Sequence, residues 1–221
     1  MRWDRLFEDL EDQLASEWEA ERAALESEAE RLRLSKTTLR ERLGPLIGGD
    51  AVTVEVGDGS PQRGIICAVG SDFAALRPDR AATGDGLRVR ARDGLIIVPL
   101  AAVVWFGVAH ADLLRTARAG AAVHIDAPGV APASPSRLSD RMTLGFVLRD
   151  CARKRRAVRA GLHSGDILTG TIDRVGADHL DLALHDVDMP RRAESVRGHR
   201  MLPLASLAWV RLEGIADHDL P

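Results

Sequence analysis

Two clusters of cationic side chains lie in the second half of this chain of 221 residues. They occur in "RDCARKRRAVR" and again in "VRGHR". Guanidinium and ammonium groups bind phosphate oxygens through charge-assisted hydrogen bonds, and such contacts supply much of the affinity of proteins for nucleic acids. The pattern predicts binding to RNA or another nucleic acid; the alternative is a solvated helix end, whose dipole favours cations. The predicted contact residues are Arg153, Lys154, Arg155, Arg156, Arg197 and Arg200.

No group of residues in the sequence has the spacing of a catalytic or metal site. Most of the histidines fall in predicted turns, and none has a serine or cysteine nucleophile at a motif spacing. Cys67 and Cys151 are far apart, and the CxxC and HxxxH patterns that hold metals are missing. The glycine motifs of nucleotide-binding loops are missing too. We therefore predict a protein that is not an enzyme and has no catalytic residues, no metal and no cofactor.

The composition is that of an ordinary globular protein. Its net charge is −3 and 45% of its residues are hydrophobic, which argues against a uniformly basic protein that coats nucleic acid. No apolar run is long enough to span a membrane, and the acidic start is unlike a signal peptide. We expect a cytoplasmic protein with no membrane partner and with both thiols reduced.

An acidic, amphipathic helix is predicted for residues 1–37. Its apolar residues recur at spacings of three, four or seven, which places them on one side of a helix. Such a narrow stripe cannot bury itself, so it needs a partner: another copy of the helix, as in a coiled coil, or the body of the protein. We predict that residues 1–34 mediate association, as a homo-oligomer or with a partner helix. The stripe begins with Trp3, Phe7, Leu10, Leu14 and Trp18.

The rest of the chain contains one pattern twice. "RGIICAVGSDFAAL" at 63–76 and "TGTIDRVGADHLDL" at 169–182 share glycine, aliphatic and aspartate residues at a constant offset. "VPLAAVVW" likewise matches "LPLASLAW". In the two leading helices Thr38, Leu39 and Leu43 match Thr143, Leu144 and Leu148, and Ser139 or Asp140 is expected to cap the second helix. Three matching blocks in the same order predict two copies of one fold. Each copy has a short helix and five strands, with glycine where the strands bend.

The predicted fold is therefore α+β. An N-terminal helix precedes two tandem, five-stranded small barrels, at about 50–107 and 157–212, each with a leading helix. Asp72 and Asp178, which follow the bend glycines, are expected to cap backbone N–H groups. The predicted boundaries are 1–37 for the acidic helix, 38–115 for the first helix and barrel, 116–139 for a linker rich in Pro, Ala and Ser, 140–214 for the second helix and barrel, and 215–221 for a tail.

This arrangement resembles the Sm-like barrel of the Sm, LSm and Hfq proteins, with SH3-like and ribosome-maturation-type barrels as alternatives. The best local similarity is "VRGHRMLP", in which Val196, Arg197, Gly198 and Met201 stand at positions of the second Sm motif. The resemblance implies that this motif is a turn between the last two strands and faces bound RNA, with Arg200 beside it. The first half lacks the Arg-Gly pair there, so we expect it to contribute little to binding.

The start, "MRWDRLFEDLEDQL", resembles a group of uncharacterised actinobacterial proteins, some of which are labelled Fis family regulators. A Fis-type protein should end in a helix-turn-helix, whereas this chain is predicted to end in strands. Two functions remain open. The first is a non-enzymatic module that binds RNA or another nucleic acid, or regulates. The alternative is a protein-interaction scaffold that assembles through the N-terminal helix and the barrel surfaces.

Overall fold

The computed structural model describes residues 2–79, 94–122, 141–186 and 193–213. They form helices and one antiparallel sheet, so the fold is α+β, as the sequence predicts. The helices are α1 (Arg2–Lys36), α2 (Leu39–Leu43), α3 (His110–Ala122) and α4 (Leu144–Arg153). The strands of the first half are β1 (Val52–Val56), β2 (Pro61–Val69), β3 (Phe73–Pro78), β4 (Gly94–Pro99) and β5 (Val103–Gly107). The strands of the second half are β6 (Ala157–Leu162), β7 (Ile167–Val175), β8 (His179–Leu184), β9 (Gly198–Pro203) and β10 (Leu207–Glu213).

All of these strands belong to one ten-stranded sheet, in the order β5-β1-β2-β3-β4-β10-β6-β7-β8-β9. The order within the first half, β5-β1-β2-β3-β4, recurs in the second half as β10-β6-β7-β8-β9, in agreement with the sequence repeat. The sheet is not closed into a barrel, and the prediction of two separate barrels is not confirmed. Instead, β4 of the first half pairs with β10 of the second, which joins both halves into one sheet.

The residue pattern of β4 explains this junction. All six residues of β4 are buried. Leu95 and Ile97 belong to the core beneath the second half, whereas Ile96 and Val98 belong to the core of the first half. A strand that is apolar on both faces must be covered on both faces. The two cores therefore meet at β4 and its partner β10, which also contributes side chains to both.

Two equivalent glycines allow the halves to curl in the same way. Gly64 in β2 and Gly170 in β7 lie so close to the next strand that a Cβ atom would overlap the carbonyl group of Arg77 or Ala183. The β2–β3 and β7–β8 ladders also contain a register shift. A side chain at either glycine would push the strands apart where the bulge bends them.

The helices α2 and α4 begin at the threonines that the repeat predicts. Thr38 forms a capping box with Glu41 at the start of α2. Thr143 caps α4 without a capping box: its side chain accepts a hydrogen bond from the N–H of Phe146, which has no side-chain acceptor to return the bond. Ser139 and Asp140, which the sequence suggested as caps of this helix, lie outside the described residues. The helix starts later because its apolar, packed residues begin directly after Thr143.

Helix α3 was not predicted from the sequence. It covers 110–122, so the first part of the expected linker, 116–139, is helical. Residues 123–140 and the expected tail, 215–221, lie outside the described part of the chain. The segment is rich in Ala, Leu and Arg, which are strong helix formers. It packs against α2 and the 3-10 turn Gly44–Leu46.

Candidate functional site

Four of the six predicted contact residues lie where α4 ends and the chain turns into β6. Arg153 is the last residue of α4, and Arg155 has a φ of 51°, in the left-handed region that favours glycine. The N–H of Arg156 donates to the carbonyl oxygen of Cys151 at 3.1 Å, as in a Schellman turn. The turn holds four consecutive cations at the negative end of the helix dipole, which stabilises them.

The strand register brings the second group of cations to the same end of the sheet. Ala157 at the start of β6 is opposite Thr171 of β7. Thr171 is opposite Ala183 of β8, which is opposite His199 of β9. The cations of "VRGHR" flank His199, and neighbouring strands are about 4.8 Å apart. Three strand spacings therefore separate the two groups, and all six predicted residues share one end of the second half, the cationic end.

Acidic side chains pair with part of the cationic end. Asp150 pairs with Arg153 and with Lys154, whose Nζ lies 2.7 Å from its Oδ2. Burial by itself would raise the pKa of Asp150, but hydrogen bonds from Lys154 and Arg153 hold that pKa below its ordinary value. Asp186 accepts a hydrogen bond from Arg197 at 2.6 Å. These two carboxylates pair with three of the six predicted contact residues, Arg153, Lys154 and Arg197.

The segment 196–198 is not the turn that the Sm resemblance implies. It leads into β9, whose first residue is Gly198, whereas the last two strands are joined by the 3-10 turn Leu204–Ser206, which follows the proline at the end of β9. Arg197 therefore lies at the connection from β8 to β9. Arg200 lies within β9, where its Nη1 donates to the carbonyl oxygen of His199 at 3.0 Å. Both arginines still lie at the cationic end, because the pairing of β9 with β8 places them there and not because they form the Sm turn.

The predicted association helix is present, and the described members of its stripe are exposed. Helix α1 is 35 residues long. Near its C-terminal end, Nη2 of Arg33 donates to the carbonyl oxygen of Ala117 in α3 at 3.3 Å. Leu14 is 52% exposed and Trp18 is 68% exposed. The stripe residues whose side chains lie outside the described part of the structure are Trp3, Phe7 and Leu10.

An open cavity of about 250 Å³ lies beside β5, and the sequence did not predict it. In the second half, the equivalent space beside β10 is filled by residues of the first half, among them Phe73, Leu95 and Ile97. The repeat makes β5 and β10 equivalent strands and, among the described residues, β5 lacks the neighbouring strand that β4 provides for β10. The cavity is lined mainly by Leu39, Leu43, Val104, Trp105, Phe106 and Leu113.

The described residues contain no group of three or more His, Cys, Asp or Glu side chains that could hold a metal ion. Cys67 and Cys151 are free thiols. Burial raises the pKa of both, that of Cys151 to about 11, so neither is a thiolate near neutral pH. Within the same part of the chain, no helix has the length and apolar character needed to span a membrane.

No protein-family model, curated protein or solved structure matches this chain.

Proposed function

We propose that the protein is a non-enzymatic module that binds single-stranded RNA at the cationic end of its second half. The observation that supports this most directly is the register that places Arg197 and Arg200 at the end of the sheet where α4 stops. Phosphate contacts supply the sequence-independent part of nucleic-acid affinity, and a cluster of guanidinium groups suits them.

The ion pairs at this end do not oppose phosphate binding. The paired side chain of Arg153 is still 77% exposed, and that of Arg197 is 66% exposed. The exposed pair of Arg197 and Asp186 contributes little free energy, so a phosphate can replace Asp186 at small cost. The side chain of Asp150 is only 11% exposed and keeps its pairs, and Arg153 can donate its remaining N–H groups to a phosphate. Strands β6 to β9 contain no Phe, Trp or Tyr on which bases could stack. We therefore expect contacts to phosphates, with weak preference for base sequence.

The proposal includes the type of fold. Each half consists of a leading helix and five strands in one recurring order, with a 3-10 turn between the last two strands. This supports a small barrel-like unit of the Sm-like or SH3-like kind, opened where the two halves join. The resemblance of the second half to Sm proteins in turn favours RNA over other anionic ligands.

Titration of labelled single-stranded RNA tests the binding proposal. The test variant changes Arg153, Lys154, Arg155 and Arg156 to Gln in the full chain. If all four residues contact phosphates, the slope of log affinity against log salt should fall by up to about 3, since each neutralised phosphate of a single strand contributes about 0.7. Affinity at low salt should fall in parallel.

A matched control removes the same charge elsewhere. Its four substitutions to Gln lie at exposed arginines outside the cationic end, and both the affinity and the slope should stay close to those of the parent. If the test variant and the parent bind equally, with equal slopes, the proposal is wrong. The control positions are Arg22, Arg31, Arg63 and Arg115.

A second candidate function is a protein-interaction scaffold, which the exposed stripe of α1 favours. Trp18 is 68% exposed on a helix that contacts α3. Burying a side chain of this size in a helix pair stabilises the pair by about 1.5–3 kcal/mol. A Trp18→Asp variant that loses a stable partner, or that changes the native mass of the protein, would support this function.

A further inference from the structure

At the junction, each half contributes one edge strand. Because the halves are repeats, the chain also has an equivalent of each of these two edge strands elsewhere. At the junction, β4 of the first half pairs with β10 of the second. By the repeat, β9 corresponds to β4, and β5 corresponds to β10. Among the described residues, β9 and β5 are the two edges of the sheet. The chain therefore ends on one side with a copy of the β4 edge and on the other with a copy of the β10 edge.

We propose that copies of the protein assemble head to tail, with β9 of one copy pairing with β5 of the next as β4 pairs with β10. Ile97 is opposite Val210 at the junction. Pro99 and Pro203 are equivalent, as are Trp105 and Trp209, so the position of Ile97 corresponds to Met201 and that of Val210 to Phe106. Between copies, Met201 should therefore be opposite Phe106.

The cavity beside β5 fits this arrangement. Ile97 is fully buried in the core beneath α4, where it fills space beside β10. Its equivalent Met201 is 79% exposed at the β9 edge. The equivalent of the filled space is the open cavity of about 250 Å³ beside β5. A second copy would place the flexible Met201 side chain in that cavity, and methionine adapts well to irregular apolar gaps.

A helix cap at the junction also has an exposed counterpart. Oδ1 of Asp72 accepts a hydrogen bond of 2.7 Å from the N–H of Leu144, in the first turn of α4. Asp178 is equivalent to Asp72, and Leu39, in the first turn of α2, is equivalent to Leu144. The side chain of Asp178 is 89% exposed and contacts His179. Head-to-tail pairing would bring Asp178 of one copy to the first turn of α2 in the next, where a carboxylate is favoured.

The contact between copies is more polar than the junction. Phe73 and Leu95, which are buried in the junction, correspond to His179 and His199, which are exposed. We therefore expect reversible association that depends on protein concentration. Since the two paired edges differ, the contact is heterologous, and copies form a ring if the rotation closes and an open chain if it does not.

Sedimentation velocity of the full chain over a wide range of concentration tests the proposal. The parent should gain mass as concentration rises. Met201→Asp should weaken self-association by at least about tenfold, because it removes the apolar side chain that would fill the cavity, whose lining is apolar apart from Arg42 and Thr116. The matched control is Ile167→Asp, at another exposed apolar residue of the second half, 59% exposed, and it should associate like the parent. Both variants should keep the melting temperature of the parent at the lowest concentration.

Cysteine cross-linking tests the direction of the contact without depending on the first experiment. Directly opposite residues of paired strands are about 4.5–5.5 Å apart between Cα atoms, which suits a disulfide. An equal mixture of the Met201→Cys and Phe106→Cys proteins should form a mixed dimer under mild oxidation. Neither protein should cross-link with itself beyond the level of the parent.

Several results would overturn head-to-tail pairing. One is a parent that stays monomeric at every concentration, and another is a Met201→Asp protein that associates as tightly as the parent. Self-cross-linking of Met201→Cys without a mixed dimer would indicate a symmetric contact. Loss of association in Trp18→Asp together with normal association in Met201→Asp would assign the contact to α1 instead. None of these variants changes the four cations of the RNA test, so association and RNA affinity are tested at different residues.

Discussion

Ile97 and Met201 occupy the same position of the repeat, one at the junction and one at an edge of the sheet. Ile97 is fully buried in the core beneath the second half, whereas Met201 is 79% exposed. Both strands end at a proline that leads into a 3-10 turn, and both continue into a closing strand. The local backbone is thus alike, and the neighbouring strand decides which residue becomes core.

The two equivalent tryptophans show the same contrast. Trp209 is 6% exposed, packs against Gly161, and donates from Nε1 to Oδ2 of Asp58 at 2.9 Å, across the junction. Trp105 lies beside the cavity of the β5 edge and is 47% exposed. An aromatic residue in this position therefore stabilises the fold when the other half is beside it. At the β5 edge the same residue type is available for association.

Removing the side chain of Ile97 should produce the largest difference between the junction and the edge. Ile97→Ala deletes buried methyl groups from a packed strand and should lower the free energy of unfolding by about 2–5 kcal/mol. Met201→Ala, at the equivalent exposed position, should change it by less than about 0.5 kcal/mol. Urea unfolding of both variants at one low protein concentration measures the two values. Equal losses would mean that the junction does not hold the halves together.

The tryptophan pair should give the next largest difference. Trp209→Phe removes the hydrogen bond to Asp58 and should cost about 1.5–3 kcal/mol, the range for hydrogen bonds to charged groups. Trp105→Phe should be close to neutral. The comparison is read from unfolding midpoints in urea, with both variants measured beside the parent.

The hydrogen bond between Trp209 and Asp58 also predicts how the stability of the fold depends on pH. Burial raises the pKa of Asp58, but hydrogen bonds from Ser60 and Trp209 bring it below its ordinary value of 3.8. A carboxyl group whose pKa is lower in the folded state stabilises the fold above its ordinary pKa, and this stabilisation is lost as the pH falls through the lowered value. Trp209→Phe should therefore lose less stability than the parent between about pH 5 and pH 3. An unchanged pH profile would show that the bond does not bias the titration of Asp58.

Much of this contrast can be derived from the sequence, because the repeat is visible in it. The Thr38 capping box and the α+β class follow from local patterns that the structure bears out. The glycines expected at the bends, Gly70 and Gly176, instead directly follow the ends of β2 and β7, and the register shifts lie earlier in those strands. The sharing of β4 between two cores does not follow. Its six residues are buried on both faces, but a short apolar run has the same appearance in a separate barrel and in a continuous sheet.

Only part of the candidate site could be predicted from the sequence, because the rest depends on which strands pair. The cations of α4 and "VRGHR" are plain in the sequence, but their common location depends on a register across four strands. The partners Asp150 and Asp186 differ in whether the sequence alone reveals their pairing. Asp150 lies within one helical turn of its cations and could have been inferred, whereas Asp186 reaches Arg197 through a connection between strands. The cavity beside β5 depends on tertiary packing that no single segment encodes.

The aspartate pair offers a smaller test of the comparison. Asp72→Ala removes the cap that the first half provides for α4 and should cost about 1 kcal/mol, as for other helix caps. Asp178→Ala, in the equivalent turn, should leave the unfolding free energy of the dilute protein unchanged. Thermal melting followed by circular dichroism at low concentration distinguishes them. A loss in Asp178→Ala as large as in Asp72→Ala would mean that each aspartate serves its own turn and not the neighbouring helix.

The turn after the leading helix gives the smallest expected effect. The first half has Gly48, with a φ of 71°, in this turn, whereas the second half has Arg155 at 51°. An L-residue in the left-handed region costs about 1–2 kcal/mol, and glycine avoids that cost but loses about 0.5–1 kcal/mol of chain entropy. Arg155→Gly should therefore raise the free energy of unfolding by about 0.5–1 kcal/mol, and Gly48→Ala should lower it by a similar amount. Both are measured by urea unfolding, with Arg153→Gln as a control that removes a charge beside the same turn and leaves its backbone unchanged. If Arg155→Gly is neutral in stability but binds RNA more weakly than Arg153→Gln does, the strained arginine is kept for its contact with phosphate. If it is destabilising, the side chain of Arg155 stabilises the turn through a contact that outweighs the strain.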